Sequence, residues 1–495
     1  MTSHIFVQTS KTDKKIFGLP WAVLFVLLYF VFQVLWVSFI SNGAGVDDAE
    51  QLANSTYLDW GYGGSQPPLY TWITSLTTSL LGTSMLTLQL VKFSILASLF
   101  VSVFVGLRLL GLSQAVASAG MLGLFLIPQI GWESQRALTH SVAGTAACGW
   151  VFCAFAWHMR RPSIASALIL GVAMVAAILG KFNASIFVIT VILTGLTIPE
   201  YRKILSSRLS VFTFLAFIVS ISPTALWMSR HLSNVLERAE KFQIGVAANP
   251  FLDRIVGIES LFVAAFLFSI LVLAIAGIIA LIHVKSRTQL QHTLSPGERF
   301  MRRIIGVGLL VVLVGVVVVG MTNIKDRWLQ PVLFLLPAAI ACLFGLYRAQ
   351  SRALNDFAII SIIAALIVPP VLGYYLTYGS SAPPYGQLDF AKLYSDIKGQ
   401  GAFTTILTDN TLIGGNFRLF DPELRVIHPE TPTDAYNFTT PAVIIWFGDA
   451  PPEQSIPQIL QGLQLELPQS DYTTTQVHYR TVPDRFMTVS YMLID

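Results

Sequence analysis

IFGLPWAVLFVLLYFVFQVLWVSFI, residues 16–40, and the loop behind it, GVDDAEQLANSTYLDWGYGGSQPPLYTW, residues 45–72, decide the fold. The first run carries no charge and is long enough to cross a hydrocarbon layer of about 30 Å. It exceeds the apolar core of a signal peptide and lacks a small-residue cleavage site, so it reads as a retained membrane helix. Asp47, Asp48 and Glu50 follow at once. Carboxylates at a bilayer boundary are costly unless they face water, a cavity or a partner. Capping of the next helix is the plain reading, because acids favour helix N-termini.

Working outward, composition agrees with a membrane protein. The 495 residues are 54% hydrophobic and 12% charged, against about 25% charged in a soluble domain. Apolar runs predict eleven spans near 16–40, 84–110, 113–130, 139–158, 164–180, 184–199, 209–228, 259–283, 304–321, 329–346 and 354–378. The stretch 68–81 is apolar but short and reads as an interfacial helix. Charges within the spans are almost absent on this reading, and no internal repeat is visible. Cys148, Cys153 and Cys342 all fall in apolar runs and read as buried small hydrophobes.

Alternate loops carry sixteen Lys and Arg against four acids, Asp13, Glu200, Glu298 and Asp356. That asymmetry predicts a cytoplasmic basic face and a cytoplasmic N-terminus. An odd span count then sends the C-terminus outside. From residue 380 the chain has thirteen Asp and Glu against six Lys and Arg, a net of −7. Its pattern predicts strands at 403–408, 442–448 and 486–494 with helices near 389–399 and 453–463. The expected architecture is therefore an α-helical polytopic membrane protein of about eleven transmembrane helices. It has interfacial structure in the first outer loop (transmembrane domain, 1–379) and a small extracytoplasmic, periplasmic α/β domain (380–495). The Ser-Ser-Ala-Pro-Pro stretch, 380–384, reads as the hinge.

Asp-Asp-Ala-Glu, then Leu-Asp-Trp-Gly-Tyr, then a polar residue before Pro-Pro-Leu and a Trp form an ordered series in 47–72. It resembles the first outer loop of the C superfamily of lipid-linked-sugar glycosyltransferases. Protein mannosyltransferases and lipid A aminoarabinose or galacturonic acid transferases are the most similar families. ALTHSVAG (137–144), ILGKFNASIFV (178–188) and KDRWLQPVLFLLP (325–337) resemble further segments of that superfamily, in order, over spans one to ten. The tail carries no such likeness. The resemblance implies transfer of a sugar from an isoprenoid-phosphate donor to a lipid, glycan or protein acceptor at the periplasmic face of a bacterial inner membrane.

Such transfer needs a general base for the acceptor and positive charge for the departing phosphate. The resemblance points to Asp47 as the base, with Asp48 in reserve. Candidate substrate contacts are Gln66, Arg136, Lys181, Arg230, His231, Lys325 and Arg327, with Arg238 and Lys241 in the longest outer loop. Gln66 stands where some relatives carry Lys or His, so this loop supplies no charge there. Lys181 could instead snorkel to the interface. Glu133, Arg136 and His140 fall at i, i+3 and i+7, one face of a helix. Glu133 and His140 with Asp47 or Asp48 could hold a divalent metal, the only cofactor the sequence suggests; a Glu–His hydrogen bond in a wet cavity is the preferred alternative. Tyr57, Trp60, Tyr62, Tyr70 and Trp72 could meet sugar or isoprenoid, although most read as an interfacial aromatic belt. No nucleic-acid partner is expected. A transporter or flippase is the competing function, and it would call for paired halves and a midplane site that the sequence lacks. A scaffold that recruits partners through its acidic tail would leave the ordered acids unexplained.

Overall fold

The computed structural model describes residues 15–16, 19–63, 66–231, 250–283, 293–346, 350–436, 438–465 and 472–494. A minimal strand pair, β1 (Lys15–Ile16) and β2 (Leu19–Pro20), leads into α1 (Trp21–Ile40). The first outer loop folds into α2 (Val46–Asn54) and α3 (Leu69–Leu81). Thirteen helical residues extend about 20 Å, too short to span, so α3 is the interfacial helix the sequence predicted. The bundle continues through α4 (Met85–Leu109), α5 (Gln114–Leu122), α6 (Ser134–Arg136), α7 (Thr139–Arg160), α8 (Ile164–Gly180), α9 (Ser185–Leu196), α10 (Pro199–Leu205) and α11 (Leu209–Arg230). It closes with α12 (Pro250–Ile282), α13 (Pro296–Val319), α14 (Gln330–Leu333), α15 (Leu336–Phe344) and α16 (Gln350–Tyr378).

Seven of these helices are long and apolar enough to cross a membrane singly, and three bent pairs raise the count to ten. With the 17-residue α8 they fall on the eleven expected positions. Three of those expected spans are not straight: the 114–136, 182–205 and 326–344 segments bend by 74°, 116° and 48°. Pro199, in the first turn of α10, marks the sharpest bend, where its missing N–H and fixed φ suit a helix start. Ser163 and Ser295 close capping boxes at the starts of α8 and α13.

Loops predicted to share the basic face do meet. Arg160 donates to the Arg108 carbonyl at 3.1 Å, Arg303 to the Thr197 carbonyl at 2.7 Å, and Arg299 pairs with Glu200 at 2.6 Å. At the other end, Gln129 donates to Asp326 at 2.6 Å and Asn183 to the Trp328 carbonyl at 3.0 Å. Inside the bundle, Gln33 of α1 donates to Gln135 at 2.6 Å, which gives its amide nitrogen a partner that a hydrocarbon environment would not supply.

After α16 come α17 (Phe390–Gln400), β3 (Thr405–Thr408), α18 (Thr411–Phe417), β4 (Arg425–Ile427), β5 (Ala442–Phe447), α19 (Ser455–Gly462), β6 (Thr473–His478) and β7 (Phe486–Ile494). The sheet order is β4-β3-β5-β7-β6; β3, β4 and β5 are parallel, while β7 runs antiparallel to β5 and β6. The sequence reading missed β4, β6 and α18. The first has only three residues, the second is Thr-rich and exposed at the sheet edge, and the third holds Gly414-Gly415, poor helix formers. Residues 380–384 are no free hinge. Just beyond them, Gln387 donates to the carbonyls of Ile40 (3.4 Å) and Leu376 (2.8 Å) and accepts from Asn42 (2.6 Å). Thr481 bonds the Thr377 carbonyl at 2.8 Å, so the domain is tied to the ends of α1 and α16.

Candidate active site

Asp47 and Asp48 lie in the first turn of α2, whose N-cap, Gly45, makes no side-chain cap bond. Their carboxylates are spent across the bundle, not on capping. Asp47 Oδ2 accepts the Leu138 backbone N–H at 2.5 Å. Leu138 sits at φ 69° and ψ 46°, a left-handed conformation that costs a leucine about 1–3 kcal/mol. It is the residue before α7, so Asp47 anchors a strained helix entrance. Asp47 is half-buried, and its Oδ1 has no partner among the described residues.

Asp48 is buried. Its Oδ2 lies 2.9 Å from Lys92 Nζ and 3.3 Å from Gln89 Nε2, both on α4. Lys92 is 2% exposed within a helix of spanning length. The expectation of almost charge-free spans is thus corrected at its most consequential position. The overlooked signal was plain: a lysine amid Leu90, Val91, Phe93 and Ile95 is an intramembrane charge and demands a partner.

Buried Gln51, one turn beyond Asp47, ties three elements together. Its Oε1 accepts from Thr71 of α3 at 2.7 Å, and its amide nitrogen lies 3.2 Å from His140 Nε2 of α7. Glu133 pairs with Arg136 at 2.6 Å, and Arg136 also donates to Tyr375 of α16 at 2.6 Å while its guanidinium covers that ring. Among the described residues no three His, Cys, Asp or Glu side chains group as metal ligands. The suggested set of Glu133, His140 and an aspartate is not assembled, because arginine, glutamine and lysine have claimed its members. The Glu–His hydrogen bond offered instead is not observed either.

The cations divide. Lys181 follows α8 and donates to Ser141 of α7 at 2.6 Å. Burial, then the charge of Arg327, pushes its ammonium down to about 8. Lys181 is half-buried, with Ser141 as its side-chain partner. Arg327 and Lys325 are exposed, and among the described residues their side chains make no hydrogen bond or ion pair. The bonds from Gln129 to Asp326 and from Asn183 to Trp328 carry their segment to the same end of the bundle as Lys181 and Arg136. Gln66 pairs through its backbone with Tyr62, both bonds 2.9 Å, just before Pro67-Pro68. Arg230 is exposed at the end of α11, and His231 stacks on Trp227 at 4.4 Å. Arg238 and Lys241 lie outside the described residues.

Asp59, quoted only as part of a motif, pins the loop. It accepts from Trp227 Nε1 at 2.8 Å and from its neighbour Trp60, while its carbonyl takes Trp72 Nε1 at 2.9 Å. The aromatic-belt reading fails for Tyr62 and Tyr70, each 1% exposed, whereas Trp60 is exposed and Tyr57 and Trp72 are half-buried. Contacts from the far end of the chain had no sequence signal. Asn416, Arg418 and His428 reach Ala44, Leu52 and Asn54 across more than 360 residues.

No family model matches the chain. The crystal structure of ArnT from Cupriavidus metallidurans bound to undecaprenyl phosphate superposes over 95% of this chain and 98% of that one, with a TM-score of 0.55 at 14% identity. The chain shares the ArnT fold and, with relatives over nearly its whole length, is a polytopic glycosyltransferase. Those relatives are two lipopolysaccharide core galacturonosyltransferases of Rhizobium johnstonii. RgtB is 27% identical over 485 residues, 94% of this chain and 96% of that protein; RgtA is 27% identical over 459 residues, 86% of each.

Proposed function

We propose that this chain moves galacturonic acid, or a closely similar uronic sugar, from a polyprenyl-phosphate donor to the core of lipopolysaccharide. The names of the two relatives and the ligand of the ArnT structure support donor and acceptor. The observation that carries the mechanism is the unequal fate of two adjacent aspartates: Asp48 is neutralised by Lys92, whereas Asp47 keeps one oxygen uncommitted at a half-buried position.

In this mechanism an acceptor hydroxyl oxygen attacks the anomeric carbon of the sugar. The bond from that carbon to the phosphate oxygen breaks, and polyprenyl phosphate leaves with the electron pair. The acceptor proton passes to Asp47, a transfer worth about 10²–10⁴ in rate. Lys181 and Arg327 stabilise the charge on the departing phosphate. The Leu138 N–H holds the Asp47 carboxylate in place for the transfer. Arg136, shared between Glu133 and Tyr375, is the cation best held to meet a sugar carboxylate. The charge pattern of the loops supports a periplasmic location for the site, with the basic face and N-terminus in the cytoplasm.

The test uses purified protein, polyprenyl-phosphate galacturonate from native membranes and lipopolysaccharide lacking core galacturonate. Asp47→Asn is expected to lose transfer by at least about 10²-fold while still binding undecaprenyl phosphate. Undiminished transfer by that variant would remove the base assignment. Failure of the wild-type protein with this donor, and success with a neutral sugar, would overturn the uronic reading alone.

A further inference from the structure

The helix that carries Asp47 has two sets of neighbours, and only one is in the membrane bundle. On the other side Asn416 grips the backbone of Ala44 in both directions: its Oδ1 accepts the Ala44 N–H at 2.8 Å and its Nδ2 donates to the Ala44 carbonyl at 3.0 Å. Arg418 holds the opposite end of α2, donating to the Leu52 carbonyl and Ser55 Oγ at 2.6 Å each. His428 Nε2 meets Asn54 Oδ1 at 3.0 Å. Between these clamps, Gly415 is packed so closely that a Cβ there would stand 2.1 Å from the Ala49 carbonyl.

The apolar packing agrees. Ala44, Ala49, Leu52 and Ala53 are buried in one cluster with Leu412, Ile413, Phe417 and Val426, the core of the C-terminal domain, not in the cluster that fills the bundle. By its contacts α2 is a piece of the C-terminal domain inserted between the first span and α3. Its other face delivers Asp47, Asp48 and Gln51 to the bundle. A cation at the C-terminal end of α2 also suits the helix dipole.

We propose that the C-terminal domain is a positioning element of the active site, in which Asn416 and Arg418 set the placement of Asp47 for proton transfer. This rests on the reading of Asp47 as the base. A displacement of about 1 Å at such a group costs on the order of 10²-fold in rate, so a domain that touches no reacting atom can control turnover. The domain then governs the rate of the chemical step more than the affinity for donor lipid.

The experiment takes the full-length protein in nanodiscs and compares Asn416→Ala, Arg418→Ala, Arg418→Lys, Asp47→Asn and, as a control in the outer strand β6, Thr474→Ala. Three quantities are read: single-turnover transfer, binding of undecaprenyl phosphate, and hydrogen exchange over residues 44–56 and over the rest of the domain. The two alanine variants are expected to slow transfer by roughly 10–100-fold, keep binding within about threefold, and lose protection at 44–56 alone. Arg418→Lys regains part of the rate, and Thr474→Ala matches the wild type. Wild-type turnover in both alanine variants beside an inactive Asp47→Asn would overturn the positioning role. Exchange rising across the whole domain, with binding lost, would overturn it too, since these residues would then serve the domain's fold. Full transfer by Asp47→Asn would fail the base assignment first, and the positioning claim with it.

Discussion

Lys92 of α4 and Asp48 of α2 form an ion pair 2.9 Å apart, the lysine almost wholly out of solvent. The pair joins the spanning helix α4 to α2 of the first outer loop, so its energetics bear on both. An opened buried pair leaves a naked charge, whereas a pair replaced as a unit does not.

Lys92→Met is therefore expected to destabilise the protein by about 3–5 kcal/mol, since Asp48 is left unpaired. The double variant Lys92→Met with Asp48→Asn should recover much of that loss. Thermal unfolding in detergent, run as a double-mutant cycle, measures the coupling. Additive losses would mean that the two charges do not depend on each other.

In the proposed mechanism, removing the Lys181 ammonium takes away a charge-assisted contact to the donor phosphate, worth about 1.5–3 kcal/mol. Lys181→Met should thus weaken undecaprenyl phosphate binding by roughly 10–100-fold. Lys181→Arg should retain part of the affinity. Titration of nanodisc-embedded protein with undecaprenyl phosphate is the measurement.

Gly144 lies where α7 meets the end of α8; a Cβ there would stand 2.5 Å from Lys181 Cβ and 3.1 Å from Lys181 N. Gly144→Ala should cost about 1–3 kcal/mol through overpacking and reduce transfer by shifting Lys181. Gly306→Ala, which has open space around the new carbon, should leave both unchanged. Unfolding midpoints and transfer rates of the two variants make the comparison.

His428 supplies the pH dependence. Nε2 meets Asn54 Oδ1 at 3.0 Å and Nδ1 accepts the Glu430 N–H at 3.4 Å, so the ring is a neutral imidazole with its proton on Nε2. Burial lowers its pKa from the usual 6.5 to about 4. Above pH 6.5 the ring is neutral folded or unfolded and contributes no pH dependence. As pH falls from 6.5 toward 4, the unfolded chain binds a proton that the folded one refuses, and stability drops by on the order of 3 kcal/mol. Unfolding of the wild type and His428→Gln between pH 7.5 and 4.5 should converge as the pH falls. Parallel curves would remove His428 as the cause.

How far the amino-acid order reaches is clear from particular residues. The positions of the candidate spans, the short α3 and the central strands β3, β5 and β7 were legible because apolar periodicity is a local property. Asp47 was legible too, as an acid directly behind a span in an ordered motif. Lys92 was equally visible and passed over, although an ionised group at that depth has no local means of lowering its cost.

The division of labour between Asp47 and Asp48 was not legible. Neighbouring residues on a helix turn point in different directions, and which of them meets a lysine depends on how α2 packs on α4. The same holds for Glu133 and His140, whose helical spacing suggested a shared ligand but whose partners came from α2 and from Arg136. The bends at 74° and 116° and the grip of Asn416 and Arg418 on α2 also belong to tertiary structure alone. Sequence order determined the membrane architecture, because burying apolar segments in lipid depends on each segment's own composition. The site was decided only on folding, because hydrogen bonds and ion pairs depend on distances between groups that lie hundreds of residues apart along the chain.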